Sequence, residues 1–370
     1  MKVGIFTFPN SISYGATLQM YALSRAVGGL GHEVDVINYH SAFMKGELHC
    51  KSASESQIQH SVKMVVKNTL HRKLYKRFEA FEKNVVNLYP KKSFSDPSRL
   101  HEVGAKYDAV ICGSDQVWNP NITNADISYF LDFCGDNTRR IAYAPSFGVE
   151  DLSDELKDRV GKELKLFASI SVREEQGRKL VSDILGRDVS VVVDPTMLIE
   201  QDEWKKIESP YSKVTGDFVL YFTVKHSNQL FKKTREFAKK NGLTMVVVGG
   251  NPLKTMRNKD STVHYAIDIS PSQWLWLVHN AKYVATNSFH GTAFSIIYEK
   301  DFYLELPPVA NSRLCNVVKL MALEDRVLDA DTEMIPTTID FSVARQNMHL
   351  LREQSLSYLK DALREDSENG

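Results

Sequence analysis

The stretch Ala285-Thr286-Asn287-Ser288-Phe289-His290-Gly291-Thr292-Ala293-Phe294 holds the most informative chemistry in the chain. An apolar run leads into a polar turn, and His290 and Gly291 then open an apolar segment of helical character. An imidazole at a helix amino end sits where N–H groups and the dipole favour an anion such as phosphate. It is also the side chain best suited to moving protons near neutral pH. Asn287, Ser288, Gly291 and Thr292 flank it as candidate ligands; a purely structural histidine is the plainer alternative. Three other clusters follow apolar runs. Ser11-Ile12-Ser13-Tyr14-Gly15-Ala16-Thr17-Leu18-Gln19 is a small-residue loop opening a helix, neither GxGxxG nor a Walker loop. It offers an anion or hydroxyl site, or only a capped turn. Gly113-Ser114-Asp115-Gln116-Val117-Trp118-Asn119-Pro120 supplies donors and acceptors from Asp115, Gln116 and Asn119. Its Trp118 offers a flat face for a sugar ring or base; the alternative is an Asx turn with a core-packed Trp. In Ser171-Val172-Arg173-Glu174-Glu175, Arg173 can fork onto a carboxylate or phosphate, or simply pair with a neighbouring glutamate.

These clusters need strands that end at them. Residues 3–8, 34–39, 109–112, 141–144, 169–173 and 189–193 read as strands, with a helix over 16–27 and a Gly-rich stop at 28–31. A second series follows Asp194-Pro195: strands at 218–224, 244–248, 283–286 and 302–304, helices at 231–241, 272–280 and 292–298. Alternating βα units of this kind predict an α/β protein of two Rossmann-like domains facing a cleft, with ligands at the carboxyl ends of the strands. The boundaries read as 1–198, 199–340, and a carboxyl helix with an acidic tail over 341–370 (Asp361, Glu365, Asp366, Glu368). Residues 61–92 stand apart as a helix with a Leu70, Leu74, Phe78, Phe81, Val85 stripe. Lys63, Lys67, Arg72, Lys73, Lys76, Arg77, Lys83, Lys91 and Lys92 outnumber Glu79 and Glu82 there. That helix is either a peripheral contact for an anionic membrane or a surface helix with a solvated cationic face.

Bulk composition bounds the function. The chain has 370 residues, with 46 Lys+Arg against 46 Asp+Glu, 43% hydrophobic and 25% charged. That is a globular composition, and the zero balance argues against a polyanion binder, nucleic acid included. Four cysteines, Cys50, Cys112, Cys134 and Cys315, form no CxxC pair, so a disulfide scaffold or cysteine-rich zinc site is not expected and a reducing cytosol is. The amino end is too short in apolar residues for a signal sequence, and no run reaches the roughly 18 apolar residues of a membrane span. A cytoplasmic protein is expected, with any membrane contact confined to the inner face.

Taken together, the clusters resemble the polysaccharide pyruvyl transferase family. The resemblance rests on Tyr14-Gly15-Ala16, Gly113 to Asn119, Tyr143-Ala144-Pro145-Ser146-Phe147-Gly148, Ser171-Val172-Arg173-Glu174, Asp194-Pro195-Thr196 and Ser288-Phe289-His290-Gly291, in that order. It implies a GT-B-like fold and transfer of the enolpyruvyl carbons of phosphoenolpyruvate onto two hydroxyls of a sugar as a cyclic ketal. Phosphoenolpyruvate would be a substrate, with no redox cofactor or metal required. The acceptor would be a sugar of a cell-surface polysaccharide or its precursor, lipid-linked or not. His290 would be the acid/base or phosphate ligand, aided by the Gly291 and Thr292 amides, with Arg173 as anion clamp and Asp115 beside them in the catalytic set. Tyr14, Gly15, Thr17, Gln19, Ser114, Gln116, Trp118 and Asn119 would hold the acceptor. Family members often carry an Arg two positions before the motif His, where this chain has Ser288. Arg173, Lys225 or Arg313 would then substitute, or the donor differs. A glycosyltransferase using a nucleotide-sugar and a non-catalytic sugar-binding relative are the alternatives.

Overall fold

The computed structural model describes residues 1–44, 57–249, 260–307, 312–329 and 331–364, without the side chains of 57–70 and 312. Cys50, Glu365, Asp366 and Glu368, and the side chains of Lys63, Lys67 and Leu70, lie outside the described residues. The chain forms two compact units. One comprises the described residues of Met1–Ser54, Glu82–Ile199 and Leu350–Gly370, the other those of Glu55–Phe81 and Glu200–His349.

The first unit is built on seven parallel strands. In chain order its elements are β1 (Lys2–Phe6), α1 (Tyr14–Gly29), β2 (Glu33–Tyr39), the end of α2 (Gln57–Val85), β3 (Leu88–Phe94), β4 (Ala109–Cys112), β5 (Arg139–Ala142), α3 (Asp154–Leu164), β6 (Ser169–Val172), α4 (Glu175–Leu185) and β7 (Ser190–Val191). The sheet order is β3-β2-β1-β4-β5-β6-β7. Strand order therefore reverses between β1 and β4, which pair from Val3↔Ala109 to Phe6↔Cys112 and end level with each other. Both faces of these strands are covered, which is why they read as unbroken apolar runs rather than alternating ones.

Residues 61–92 are not one helix. α2 stops at Val85, and Leu88–Phe94 form the edge strand β3. Pro90 explains the change: it cannot continue a helix, but it is tolerated on a sheet edge. On α2, Phe78 and Phe81 are buried, while Arg72, Lys73, Lys76 and Arg77 are exposed, with Arg77 Nη2 3.4 Å from Asp268 Oδ2. This is the layout of a surface helix with a solvated cationic face.

The second unit has five parallel strands: β8 (Phe218–Phe222), α5 (Asn228–Lys240), β9 (Thr244–Val248), β10 (Val263–Ala266), α6 (Pro271–Asn280), β11 (Tyr283–Thr286), α7 (Phe289–Ile297) and β12 (Asp301–Leu304). The order β10-β9-β8-β11-β12 reverses between β8 and β11, which pair from Tyr283↔Val219 to Thr286↔Phe222. β8 ends two residues earlier than the sequence suggests, releasing 223–227 as a loop. Helix α8 (Ser342–Ala362) is not a separate appendage. From Leu350 on it packs in the first unit: Arg352 Nε donates to the Met197 carbonyl (2.8 Å), Tyr358 to that of Ala142 (3.0 Å), and Ser355 Oγ accepts from Val193 N (3.1 Å). Among the described residues no helix is long and apolar enough to cross a membrane.

Candidate functional site

Open parallel sheets bind ligands where strand order reverses, outside the carboxyl ends of the strands flanking that point. The 11–19 and 113–119 clusters follow β1 and β4, and so flank the reversal of the first sheet. The loop holding Lys225 and the His290 cluster follow β8 and β11, and flank the reversal of the second.

At the first reversal a buried hydrogen-bond network fixes the backbone. Gln19 Nε2 donates to Thr7 Oγ1 (3.0 Å) and to the Ala16 carbonyl (3.0 Å), and its Oε1 accepts from Ser114 N (3.2 Å). Thr7 Oγ1 donates to the Ser114 carbonyl (3.2 Å), and Ser114 Oγ to that of Ala144 (2.8 Å). The network holds several residues at positive φ: Gly113 at 112°, Asp115 at 70° and Ala144 at 51°. Gly113 is obligatory, because a Cβ there would lie 2.3 Å from the Tyr143 carbonyl oxygen. Non-glycine residues in this conformation are costly and concentrate at functional sites. Asp115 is the acid the network presents, its side chain 15% exposed.

Arg173 stands behind Asp115, buried and surrounded by carboxylates. Its Nη1 donates to Asp194 Oδ2 (2.8 Å), its Nε to Glu174 Oε1 (3.3 Å), and its Nη2 lies 3.9 Å from Asp115 Oδ1. Burial alone would lower its pKa, but Glu174, Asp194 and Asp115 outweigh that and hold it above the ordinary arginine value. Arg173 is therefore the cation of an internal cluster, not an anion clamp open to a ligand. Asp194 completes the frame by accepting from Thr196 N (3.0 Å) and Thr196 Oγ1 (2.8 Å). Cys112 is fully buried, its Sγ donates to the Tyr129 carbonyl (2.7 Å), and burial pushes its thiol pKa up.

Several expected acceptor ligands turn inward. Trp118 is 2% exposed, stacks on Phe130 with centroids 5.1 Å apart, and donates Nε1 to the Tyr129 carbonyl (2.9 Å). It is a core residue, not a sugar platform, because the turn after Gly113 points it back under the sheet end. Thr17, Gln19 and Ser114 are fully buried and spend their polar atoms on the protein; Gly15 is buried too. Asn119 caps the turn that follows and donates Nδ2 to Gln116 Oε1 (2.8 Å). Of the expected site residues in the two clusters, Tyr14, Asp115 and Gln116 are half-buried rather than buried.

The second reversal is assembled differently. Asn287 staples the β8 loop to the β11 loop, its Oδ1 accepting from Val224 N (3.0 Å) and its Nδ2 donating to the Lys225 carbonyl (3.0 Å). Thr286 Oγ1 donates to the Phe222 carbonyl (2.6 Å) and accepts from Ser288 N (3.0 Å). A Cβ on Gly291 would approach that oxygen to 2.3 Å, which is why a glycine follows His290. Ser288 is the N-cap of α7, its Oγ accepting from Gly291 N (3.3 Å) and its carbonyl from Thr292 N (3.0 Å). The Gly291 and Thr292 amides are thus taken by the cap, contrary to the expectation that they face an anion, and Thr292 Oγ1 also donates to the Ser288 carbonyl (3.1 Å). His290 is half-buried against the Phe289 ring, while Lys225 and His226 are exposed. His226, missed in the sequence, places a second imidazole at this sheet end. Its Nδ1 is 3.3 Å from Tyr221 Oη and its Nε2 is 3.2 Å from Asn228 Oδ1. Arg313 lies on the helix Ser312–Leu320, half-buried. Among the described residues no group of three or more His, Cys, Asp or Glu side chains gathers at metal-binding spacing.

The family model for polysaccharide pyruvyl transferase matches residues 14–304, both reversals included. The chain belongs to the polysaccharide pyruvyl transferase family. Membership makes it a transferase of polysaccharide biosynthesis. A search of curated proteins found no match. Solved structures resemble it in fold. A protein assigned as a UDP-N-acetylglucosamine 2-epimerase from Listeria monocytogenes has a TM-score of 0.53 at 10% identity, over 98% of this chain and 90% of that one. The S. aureus MnaA–UDP structure gives 0.52 at 12% identity, over 98% and 91%. Anabaena HepE in complex with UDP and glucose gives 0.51 at 9% identity, over 98% and 99%. These likenesses show the two-domain, Rossmann-like GT-B fold.

For a pyruvyl transferase family member, the motif residues divide by what they touch. Gly113, Ser114, Asp194, Thr196, Ser288 and Gly291 shape the backbone, while Tyr14, Asp115 and His290 are half-buried.

Proposed function

We propose that this chain transfers the pyruvyl group of phosphoenolpyruvate to two hydroxyls of a sugar in a polysaccharide or its precursor. One hydroxyl adds to C2 of phosphoenolpyruvate as its proton leaves and C3 gains a proton, becoming a methyl group. Inorganic phosphate departs, and the second hydroxyl adds at C2 to close the ketal, its proton passing to the departing phosphate. The observation that carries the reading is the opposite chemistry of the two sheet ends. The first presents an acid, Asp115, held by a cluster with three carboxylates around one guanidinium; such a site repels an anionic donor and suits a hydroxyl acceptor. The second presents the exposed Lys225 and the imidazoles of His226 and His290, which suit a carboxylate and a phosphate. Asp115 takes the acceptor proton, and Tyr14 and Gln116 contact the sugar. His290 delivers the proton to C3, and Lys225 holds the donor in place of the family arginine at Ser288. The soluble enzyme acts in the cytoplasm, where phosphoenolpyruvate is made.

Glu305 favours a second reading. It accepts from Ser227 Oγ (2.8 Å) at the end of β12, an acidic position from which a ribose could be held. One experiment separates the two. Purified protein is incubated with phosphoenolpyruvate or a UDP-hexose and a panel of p-nitrophenyl hexopyranosides, with phosphate release and product mass followed. Phosphate release coupled to a pyruvate ketal supports the first reading; UDP release with a disaccharide product replaces it with the second.

A further inference from the structure

We propose that Glu82, the buried acid of the cationic helix α2, is a positioning residue that sets the conformation of the loop between β1 and α1; its effect on catalysis rests on the reading that this loop holds the acceptor. Glu82 is 0% exposed. Its two oxygens tie the middle of the loop to the first turn of α1: Oε2 accepts from Asn10 N (2.9 Å) and Oε1 from Thr17 Oγ1 (3.1 Å). A carboxylate suits this task because it can accept at both oxygens at once. The grip falls at Asn10, whose φ of 60° lies in the left-handed region that Asn tolerates better than most L residues, so the bond to its N–H fixes one of the conformations open to it. Asn10 Nδ2 extends the network to Asn38 Oδ1 (2.8 Å), and Asn38 Nδ2 to the Pro90 carbonyl (2.9 Å). Asn10, Asn38 and Thr17 are buried, whereas Ser11, Ile12, Ser13 and Tyr14 form the outward crest. A crest fixed from beneath before the sugar arrives loses less freedom on binding than a mobile one.

The test compares Glu82→Leu and Glu82→Gln with wild type. Hydrogen exchange, read by mass spectrometry, is expected to speed up about tenfold or more at residues 10–19 in Glu82→Leu, with the rest of the chain unchanged. Glu82→Gln should stay near wild type, since its amide oxygen can serve Asn10 N–H while its NH2 donates to the Thr17 hydroxyl. In turnover, Glu82→Leu should raise KM for the p-nitrophenyl hexopyranoside about tenfold and leave KM for phosphoenolpyruvate in place. Unchanged exchange at 10–19, exchange raised evenly across the chain, or parallel shifts in both KM values would overturn the proposal. Should wild type turn over no member of the panel, the functional reading fails, and the exchange pattern alone decides the role of Glu82.

Discussion

The two strand-order reversals occupy equivalent places in their sheets yet are held by different forces. At the first, buried charge and strained backbone dominate: Arg173 sits among Asp115, Glu174 and Asp194, and Asn10, Gly113, Asp115, Ala144 and Gly148 all lie at positive φ. At the second, residues 223–227 and 287–291 include none at positive φ, and neutral hydrogen bonds from Thr286, Asn287 and Ser288 do the holding. The lesson concerns where rigidity comes from. A site that must present one carboxylate beside others needs a buried cation to hold them together. At the second reversal Lys225 and His226 stand exposed and His290 half-buried, so only the loops beneath them are fixed.

This contrast can be broken in graded steps. His290→Ala should cut turnover about 10²–10⁴-fold, the range for removing a general acid, while leaving the urea midpoint in place; an intact rate would remove His290 from the chemistry. Arg173→Met should cost about 3–5 kcal/mol of stability, because it strands buried carboxylates without their cation. Chemical denaturation measures this, and a loss below about 1 kcal/mol would mean that the cluster behaves like surface ion pairs. Asn287→Ala should cost about 1 kcal/mol by removing the bonds to Val224 N–H and the Lys225 carbonyl, which solvent can partly replace; its signature would be faster hydrogen exchange in 223–227 than in the first unit. Ser288→Ala removes the α7 cap and should cost about 1 kcal/mol. Loss of donor affinity in that variant beyond the stability effect would assign Ser288 a direct contact.

Much of this architecture was legible because apolar runs ended at polar clusters. The strands beside both reversals, β1, β4, β8 and β11, are short, buried on both faces and bounded by turn residues, so their ends announce the loops. Of the edge strands, β7 and β12 were legible but β3 and β10 were not: β3 carries Pro90, Lys91 and Lys92, and β10 is four residues following a polar stretch, so neither shows the apolar signature that two-faced burial imposes. Within the site, the clusters could be found but not the direction of their side chains. Thr17, Gln19 and Trp118 look like ligands in a linear reading, yet the network that turns them inward depends on partners such as Thr7, Glu82 and Tyr129. Glu82 left no signal, since an acid in a basic helix reads as surface until its burial is seen.

The central claim is that the donor belongs to the second reversal and the acceptor to the first. Thermal unfolding with saturating phosphoenolpyruvate tests it most directly, since a ligand that binds the native state raises Tm. The account predicts that wild type and Asp115→Asn are stabilised equally, and that the Lys225→Ala/His290→Ala double variant is not. Stabilisation of the double variant together with its loss in Asp115→Asn would contradict it.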